Sequence, residues 1–289
     1  MFTFFVYILM KYEDICHRLA AVYDFGEARA MARMIIEEKF ALSFADILCG
    51  GVEQLSADDT MWLEGAVARL EQMEPIQYVL GSAWFAGHQF RVGKGVLIPR
   101  PETEWLVERV VALSADMKGL PLRVLDIGTG SGCIAVSLKK ALPDAYVEAW
   151  DISVDALDIA RDNARQLGAD VVFRRMDALN VADVDSRWDI IVSNPPYICD
   201  SERADMDSNV LDHEPSTALF VPDDDPLLFY NAITRYAKGA LRSGGRLLFE
   251  CNTRYAEATA QMMRVEGMKH VEVVNDCFDM ARFVEGVIE

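Results

Sequence analysis

The stretch Arg123-Val124-Leu125-Asp126-Ile127 runs directly into Gly128-Thr129-Gly130-Ser131-Gly132 and then into Cys133-Ile134-Ala135-Val136-Ser137-Leu138. An apolar, β-branched strand that meets a glycine-rich turn and leaves as a helix with apolar residues at helical spacing is the start of an α/β layer arrangement. The glycines permit positive φ and close backbone approach, and the helix start aims unpaired N–H groups at a polar or anionic ligand. The spacing is G-x-G-x-G rather than G-x-G-x-x-G, which favours a small amino-acid or nucleoside group over a pyrophosphate. A second apolar strand, Tyr146-Val147-Glu148-Ala149-Trp150, ends in Asp151, where a carboxylate can accept from both ribose hydroxyls. The competing reading is a tight turn followed by a surface carboxylate.

The rest of the C-terminal part alternates. Strands are expected near 123–127, 146–150, 171–174, 189–193, 246–250, 270–275 and 282–287, with helices near 132–141, 155–167, 227–242 and 254–265. Such alternation implies a doubly wound, mostly parallel sheet. Ligands then sit beyond the carboxyl ends of the strands, where Gly128, Asp151, Asp177 and Asn194 all fall.

The run Asp189-Ile190-Ile191-Val192-Ser193 leads into Asn194-Pro195-Pro196-Tyr197. Neither proline has a backbone N–H to extend a ladder, so a buried strand ends here in a rigid turn with free carbonyls. Asn194 adds a side-chain acceptor and Tyr197 an aromatic ring. A planar NH2 group fits this arrangement: two acceptors take its hydrogens, the ring packs on its face, and the nitrogen lone pair is left pointing outward. The alternative is a Pro-Pro turn that merely ends a strand.

Residues 11 to about 80 carry helical signals instead. Met31, Met34 and Ile35 share a face, Gly50-Gly51 stops a short helix, and Ser56 is placed as an N-cap before the stripe Leu63, Val67, Leu70. Residues 81–100, rich in aromatic and branched residues and broken by Gly87, Gly93 and Gly95, suggest a β-hairpin linker. Arg100-Pro101-Glu102-Thr103-Glu104 then opens a helix. The expected domains are 1–80, 81–100 and 101–289. With 28 Lys plus Arg against 46 Asp plus Glu, the net charge of −18 repels phosphate backbones, so nucleic acid is a poor default partner and a basic protein a good one. Six scattered cysteines and four scattered histidines give neither a disulfide framework nor metal-ligand spacing, and indicate reduced thiols in a cytoplasmic protein with no metal. The apolar segment Met1–Met10 is too short to span a bilayer and lacks signal-peptide flanks. It reads as an extended start packing on the first helix, with Met10 as an alternative initiator. Three aspartates in Val221-Pro222-Asp223-Asp224-Asp225-Pro226 read as a solvated loop.

Four blocks, Glu74-Pro75-Ile76-Gln77-Tyr78-Val79-Leu80-Gly81, Leu97-Ile98-Pro99-Arg100-Pro101-Glu102-Thr103-Glu104, Asp126 to Gly132, and Ser193-Asn194-Pro195-Pro196-Tyr197-Ile198, together resemble the PrmC/HemK family from about residue 70 onward. That resemblance implies a seven-stranded Rossmann-like class I methyltransferase sheet with a small N-terminal helical domain and hairpin that dock a substrate protein. It implies N5-methylation, from S-adenosyl-L-methionine, of the glutamine in the Gly-Gly-Gln motif of class-I peptide chain release factors. The chain departs from the family at Pro222-Asp223-Asp224-Asp225, at Glu250-Cys251-Asn252-Thr253-Arg254-Tyr255 and at Asp276-Cys277-Phe278-Asp279-Met280-Ala281-Arg282, which bears on substrate-loop details.

By that resemblance Gly128, Thr129, Gly130, Ser131 and Gly132 hold the methionine part of the cofactor. Asp151 then takes the ribose and Asp177 the adenine amino group, unless Asp177 is an ordinary loop-starting aspartate. Asn194 lies between cofactor and substrate. Asn194, Pro195, Pro196 and Tyr197 bind the glutamine amide, with Asn194, Pro195 and Tyr197 catalytic through positioning, because no ordinary base deprotonates an amide nitrogen. Arg100 and Glu102 are read mainly as structural, tying the hairpin to the sheet, with shaping of the methionine end of the pocket as the alternative. A ribosomal-protein glutamine methyltransferase, a base-amino methyltransferase acting on DNA or RNA, and a non-enzymatic release-factor binder are the competing functions.

Overall fold

The computed structural model describes residues 10–115, 117, 121–181 and 187–289, so the apolar start over residues 1–9 lies outside the described residues. Two units form. The first comprises described residues 10–81 together with Asp207–His213, and the second Ser82–Met206 with Glu214–Glu289.

The first unit is helical: α1 Tyr12–Leu19, α2 Phe25–Phe40, α3 Phe44–Leu48, α4 Ala57–Leu70 and α5 Ile76–Leu80. Asp24 caps α2 by accepting from Gly26 and Glu27, and the Ser56 hydroxyl caps α4 by accepting from the Asp59 N–H, which leaves Leu63, Val67 and Leu70 buried on one stripe as their spacing predicts. On α2 the buried stripe is Ala28, Ala32, Ile35 and Ile36, while Met34 is exposed. The expected Met31–Met34–Ile35 face is therefore corrected: Ala28 and Ala32 sit four residues apart on the side that Ile35 continues, and Met34 is turned about 100° away from Ile35.

The second unit opens with the hairpin β1 Ser82–Phe85 and β2 His88–Arg91. Phe85 and Phe90 from the hairpin are buried in the core shared with the sheet helices, so it packs as part of this unit instead of standing as a separate 81–100 linker. Then follow α6 Glu104–Ser114, β3 Arg123–Ile127, α7 Cys133–Ala141, β4 Tyr146–Asp151, α8 Val154–Leu167, β5 Val172–Arg175, β6 Trp188–Ser193 and β7 Ile198–Cys199. After α9 Ser208–His213, which folds with the first unit, come β8 Phe220–Val221, α10 Leu228–Ala240, β9 Leu241–Glu250, α11 Ala256–Val265, β10 Lys269–Asn275 and β11 Ala281–Val287.

The seven-stranded sheet has the order β10-β11-β9-β6-β3-β4-β5 and is parallel except for β11, which runs antiparallel to β9 and β10. Alternation along the strands supplies both faces. Val124, Val147, Ile190, Val192 and Leu248 pack under α6, α7 and α8, whereas Leu125, Ile127, Ile191, Leu247 and Phe249 pack under α10 and α11. Strand β9 starts inside the span expected to be helical, because Gly244 adopts positive φ and lets the strand bulge between Leu241 and Arg246. The two-residue pair β7–β8, too short to carry a sequence period, joins Ile198 to Phe220 and Cys199 to Val221.

Asn163 of α8 ties three segments. Its Oδ1 accepts from the Arg91 N–H at 2.7 Å, and its amide nitrogen donates to the carbonyls of Arg91 at 2.9 Å and Ser131 at 2.8 Å. Gly132 sits at φ 83°, and a Cβ there would lie 3.0 Å from Ala160 Cβ. Gly132→Ala combines a left-handed backbone with overpacking, at a cost of about 2 kcal/mol. Calorimetric melting is expected to drop by roughly 4–8 °C.

Candidate active site

Strand register places the reactive parts. Ile127 and Ser193 are direct partners at the ends of β3 and β6, and the Ser193 hydroxyl donates to the Ile127 carbonyl at 2.6 Å. The glycine turn and the Asn-Pro-Pro tip begin at the next residue of each strand, so they stand side by side at a topological switch point of the sheet. The turn is pinned to the end of β4. Gly128 and Thr129 both donate to the Trp150 carbonyl at 2.9 Å, and Gly130 donates to Asp151 Oδ2 at 2.9 Å. Gly128 at φ 77° and Gly130 at φ 55° take conformations that a side chain would oppose.

Three aspartates lie behind or beside this turn. Asp126 is fully buried; its Oδ2 accepts the Thr129 hydroxyl at 2.6 Å, and its Oδ1 has no partner at hydrogen-bond distance among the described residues. Burial pushes its pKa up to about 7, only partly offset by the Thr129 hydroxyl. Asp151 accepts from the Gly130 and Ser153 N–H groups, and burial also raises its pKa. Asp177 follows β5, accepting from the Leu179 N–H at 2.9 Å and the Asn180 amide at 2.6 Å.

At the tip, the Asn194 amide nitrogen donates to Thr103 Oγ1 at 3.3 Å. No donor among the described residues reaches Asn194 Oδ1 or the Pro195 carbonyl. The Thr103 hydroxyl donates to Glu250 Oε2 at 2.7 Å, and the Tyr197 hydroxyl to Glu250 Oε1 at 3.3 Å. Glu250, at the end of β9, has no exposed surface, and burial pushes its pKa up to about 7. Burial likewise raises the Tyr197 phenol well above its ordinary range.

These walls enclose a cavity of about 390 Å³ lined by Gly128, Gly130, Asp151, Asp177, Asn194 and both prolines, with Ile152, Leu179 and Phe229 among its apolar wall. Thr129, Ser131 and Gly132 form the back of the turn and do not line the cavity. Nor does Tyr197, whose buried hydroxyl is turned to the Glu250 carboxylate. Arg100 pairs with Glu214 at 2.5 Å instead of reaching toward the sheet. At the departure segments, Asp223 accepts from the Ser201 N–H and hydroxyl, so this aspartate holds the turn after β7 and is not merely solvated. Asp276 pairs with Arg282 at 2.7 Å. Thr103, Asp126 and Glu250 are the site residues that motif reading passed over. All three lie inside stretches singled out by sequence, but no local spacing announces that positions 103 and 250 meet.

A mostly parallel seven-stranded sheet whose glycine turn, acidic strand end and acceptor-bearing tip open into one cavity defines a class I methyltransferase dependent on S-adenosylmethionine. The residues fit that cofactor: Gly128 and Gly130 leave room for its amino-acid end, Asp151 faces the cavity, and an apolar wall suits a flat base. A family model described as a methyltransferase small domain matches residues 103–213, and one described as the PrmC N-terminal domain matches residues 12–81. A release factor glutamine methyltransferase of Bacteroides thetaiotaomicron is 46% identical, covering 92% of this chain and 95% of that protein. Another, from Flavobacterium psychrophilum, is 38% identical, covering 92% and 94%. A solved methyltransferase from Pyrococcus furiosus shares the fold with a TM-score of 0.51 at 16% identity, covering 78% of this chain and 98% of that one. The chain belongs to the release factor glutamine methyltransferase family.

Two outcomes follow from this geometry. Asp151→Ala removes a carboxylate that both faces the cavity and anchors Gly130. Titration calorimetry should show affinity for S-adenosylmethionine and for its demethylated product falling together, by on the order of 2 kcal/mol or roughly thirtyfold; unchanged affinity for both removes Asp151 from the site. The second outcome concerns pH. Asp126 and Glu250 titrate near 7 when folded, against ordinary values of 3.8 and 4.5, so the folded state binds more protons throughout that interval. Stability therefore falls as pH rises from about 4.5 to 7. The melting midpoint should decline across this window, with a shallower decline in Glu250→Gln.

Proposed function

We propose that this protein methylates the N5 amide nitrogen of the glutamine in the Gly-Gly-Gln motif of class-I peptide chain release factors, in the cytoplasm. The observation that carries the reading is that Asn194 and Pro195 line a cavity wall shared with the glycine turn and that Asn194 Oδ1 and the Pro195 carbonyl have no donor among the described residues. The names of the relatives, which cover nearly the whole chain, support the same substrate class.

An amide nitrogen is a weak nucleophile because its lone pair is delocalised into the carbonyl. Positioning is what this chain supplies. Asn194 Oδ1 and the Pro195 carbonyl accept the two amide hydrogens, which concentrates electron density on nitrogen and points its lone pair across the cavity. Pro196 keeps the tip rigid, and Tyr197 anchors the end of the turn through Glu250 in place of the expected packing on the amide plane. Gly128 and Gly130 leave room for the methionine end, with Thr129, Ser131 and Gly132 shaping the turn from behind; Asp151 takes the ribose and Asp177 the rim near the base. Bound S-adenosylmethionine supplies an electrophilic sulfonium methyl. Methyl transfer would form the N–C bond as the S–C bond breaks and move that positive charge onto the amide nitrogen, from which one of the two hydrogens held by Asn194 Oδ1 and the Pro195 carbonyl leaves as a proton to solvent; the apolar wall favours the transfer by leaving the starting cation poorly solvated. The helical unit, whose residues match the family's N-terminal domain, is assigned to docking the release factor. A net charge of −18 favours a basic protein surface over a phosphate backbone.

Asn194→Ala should lower turnover by roughly a hundredfold, about 3 kcal/mol in the barrier, while cofactor affinity holds. A competition with labelled cofactor, a purified class-I release factor, its Gly-Gly-Ala variant, ribosomal protein, total RNA and duplex DNA distinguishes the substrates. Label on the wild-type factor alone is expected. Label confined to ribosomal protein or to nucleic acid overturns the assignment.

A further inference from the structure

We propose that Thr103 and Glu250 form a one-way hydrogen-bond relay that sets which end of the Asn194 amide faces the cavity, making both of them positioning residues for methyl transfer. The inference rests on the reading of Asn194 as an acceptor for the target amide.

The direction follows from counting protons. An ionised carboxylate only accepts, whereas a hydroxyl has one hydrogen to give and lone pairs to receive. Glu250 Oε2 takes the Thr103 hydrogen at 2.7 Å, so Thr103 Oγ1 is left able only to accept. Its other side-chain partner among the described residues is Asn194 at 3.3 Å, and only the NH2 end of that side chain can donate. Oδ1 is thereby held on the opposite side, toward the cavity. In the flipped orientation two acceptors would confront each other at Thr103, and the asparagine would present NH2 to an incoming NH2, losing the acceptor that the chemistry needs. The second oxygen of Glu250 takes the Tyr197 hydroxyl at 3.3 Å, so a single carboxylate braces the turn at both Asn194 and Tyr197.

The surroundings of Glu250 make this a titrating relay. Its carboxylate faces Glu102 from the turn before α6, Arg282 from β11, the Tyr197 phenol and the Cys251 and Cys133 thiols, and its backbone carbonyl accepts the Tyr230 hydroxyl of α10. Arg282 is itself engaged with Asp276 at 2.7 Å. Burial dominates and brings the carboxyl to about 7, with Glu102 adding to the rise and Thr103 and Arg282 opposing it. A protonated Glu250 can itself donate to Thr103, which releases the constraint on Asn194. Turnover should therefore lose an increment as pH falls through about 7.

The test measures turnover on a purified class-I release factor at saturating cofactor, beside calorimetric affinity for S-adenosylhomocysteine. Thr103→Val keeps the shape but removes the relay, and is expected to lower kcat roughly tenfold with affinity unchanged. Thr103→Ser should restore kcat to within about twofold, which a packing role would not require. Glu250→Gln, which can donate to Thr103 at every pH, should show low turnover without the inflection near pH 7. Wild-type kcat in Thr103→Val, equal losses in the Ser and Val variants, or an unchanged pH profile in Glu250→Gln each overturns the relay. The control is Asn194→Ala: normal turnover there sinks the underlying reading of Asn194, whereas lost turnover there with normal Thr103→Val sinks the relay alone.

Discussion

The pairing of β3 with β6 is the constraint on which the rest depends. Parallel register makes Ile127 and Ser193 partners, and the Ser193 hydroxyl closes the last gap between the two strand ends. A slip of one residue would turn every side chain of a strand to the other face. Here it would also carry Asn194 away from the level of Gly128. Buried valines, leucines and isoleucines on both faces make such a slip costly, so the hydrophobic core of the sheet fixes the alignment of two loops that contribute little to the core themselves.

Local chemistry made much of this legible beforehand. The central strands β3, β4 and β6 announce themselves by β-branched or apolar runs, and Gly128, Gly130 and Gly132 occur where the backbone takes positive φ. Ser56 caps its helix because its hydroxyl accepts from the otherwise unpaired Asp59 N–H, a contact made within three residues and so readable locally. What stayed hidden depends on distance along the chain. The meeting of Thr103 with Glu250, and of Asn163 with Arg91 and Ser131, spans many residues and leaves no period to read. The inward direction of Tyr197 was equally invisible, because an aromatic beside two prolines can turn either way and a buried hydroxyl seeks whichever acceptor the tertiary fold provides. Met34 illustrates the reverse error: a hydrophobic residue near a stripe is not on it when two alanines already define the contact face.

Buried carboxyl groups are concentrated around the cavity at a cost to the fold. Asp126 and Glu250 are both without exposed surface and both raised by burial; Glu285 and Glu148, buried within β11 and β4, are paired with Arg109 and Arg174. Structural acids in this protein are given arginine partners. The two buried acids behind the cavity wall are given hydroxyls, Asp126 that of Thr129 and Glu250 those of Thr103 and Tyr197, whereas Asp151 and Asp177 on the wall itself are held by N–H groups.

The Asn163 side chain gives the hairpin a mechanical role. With its carbonyl and both hydrogens committed to Arg91 and Ser131, it acts as a rivet through α8 that fastens the second hairpin strand to the glycine turn. The two surfaces cannot shift independently without breaking buried bonds that water cannot replace. A protein that grips the hairpin from outside therefore also grips the floor of the cavity, and the stiffness of the pocket is set in part by what is held at its rim.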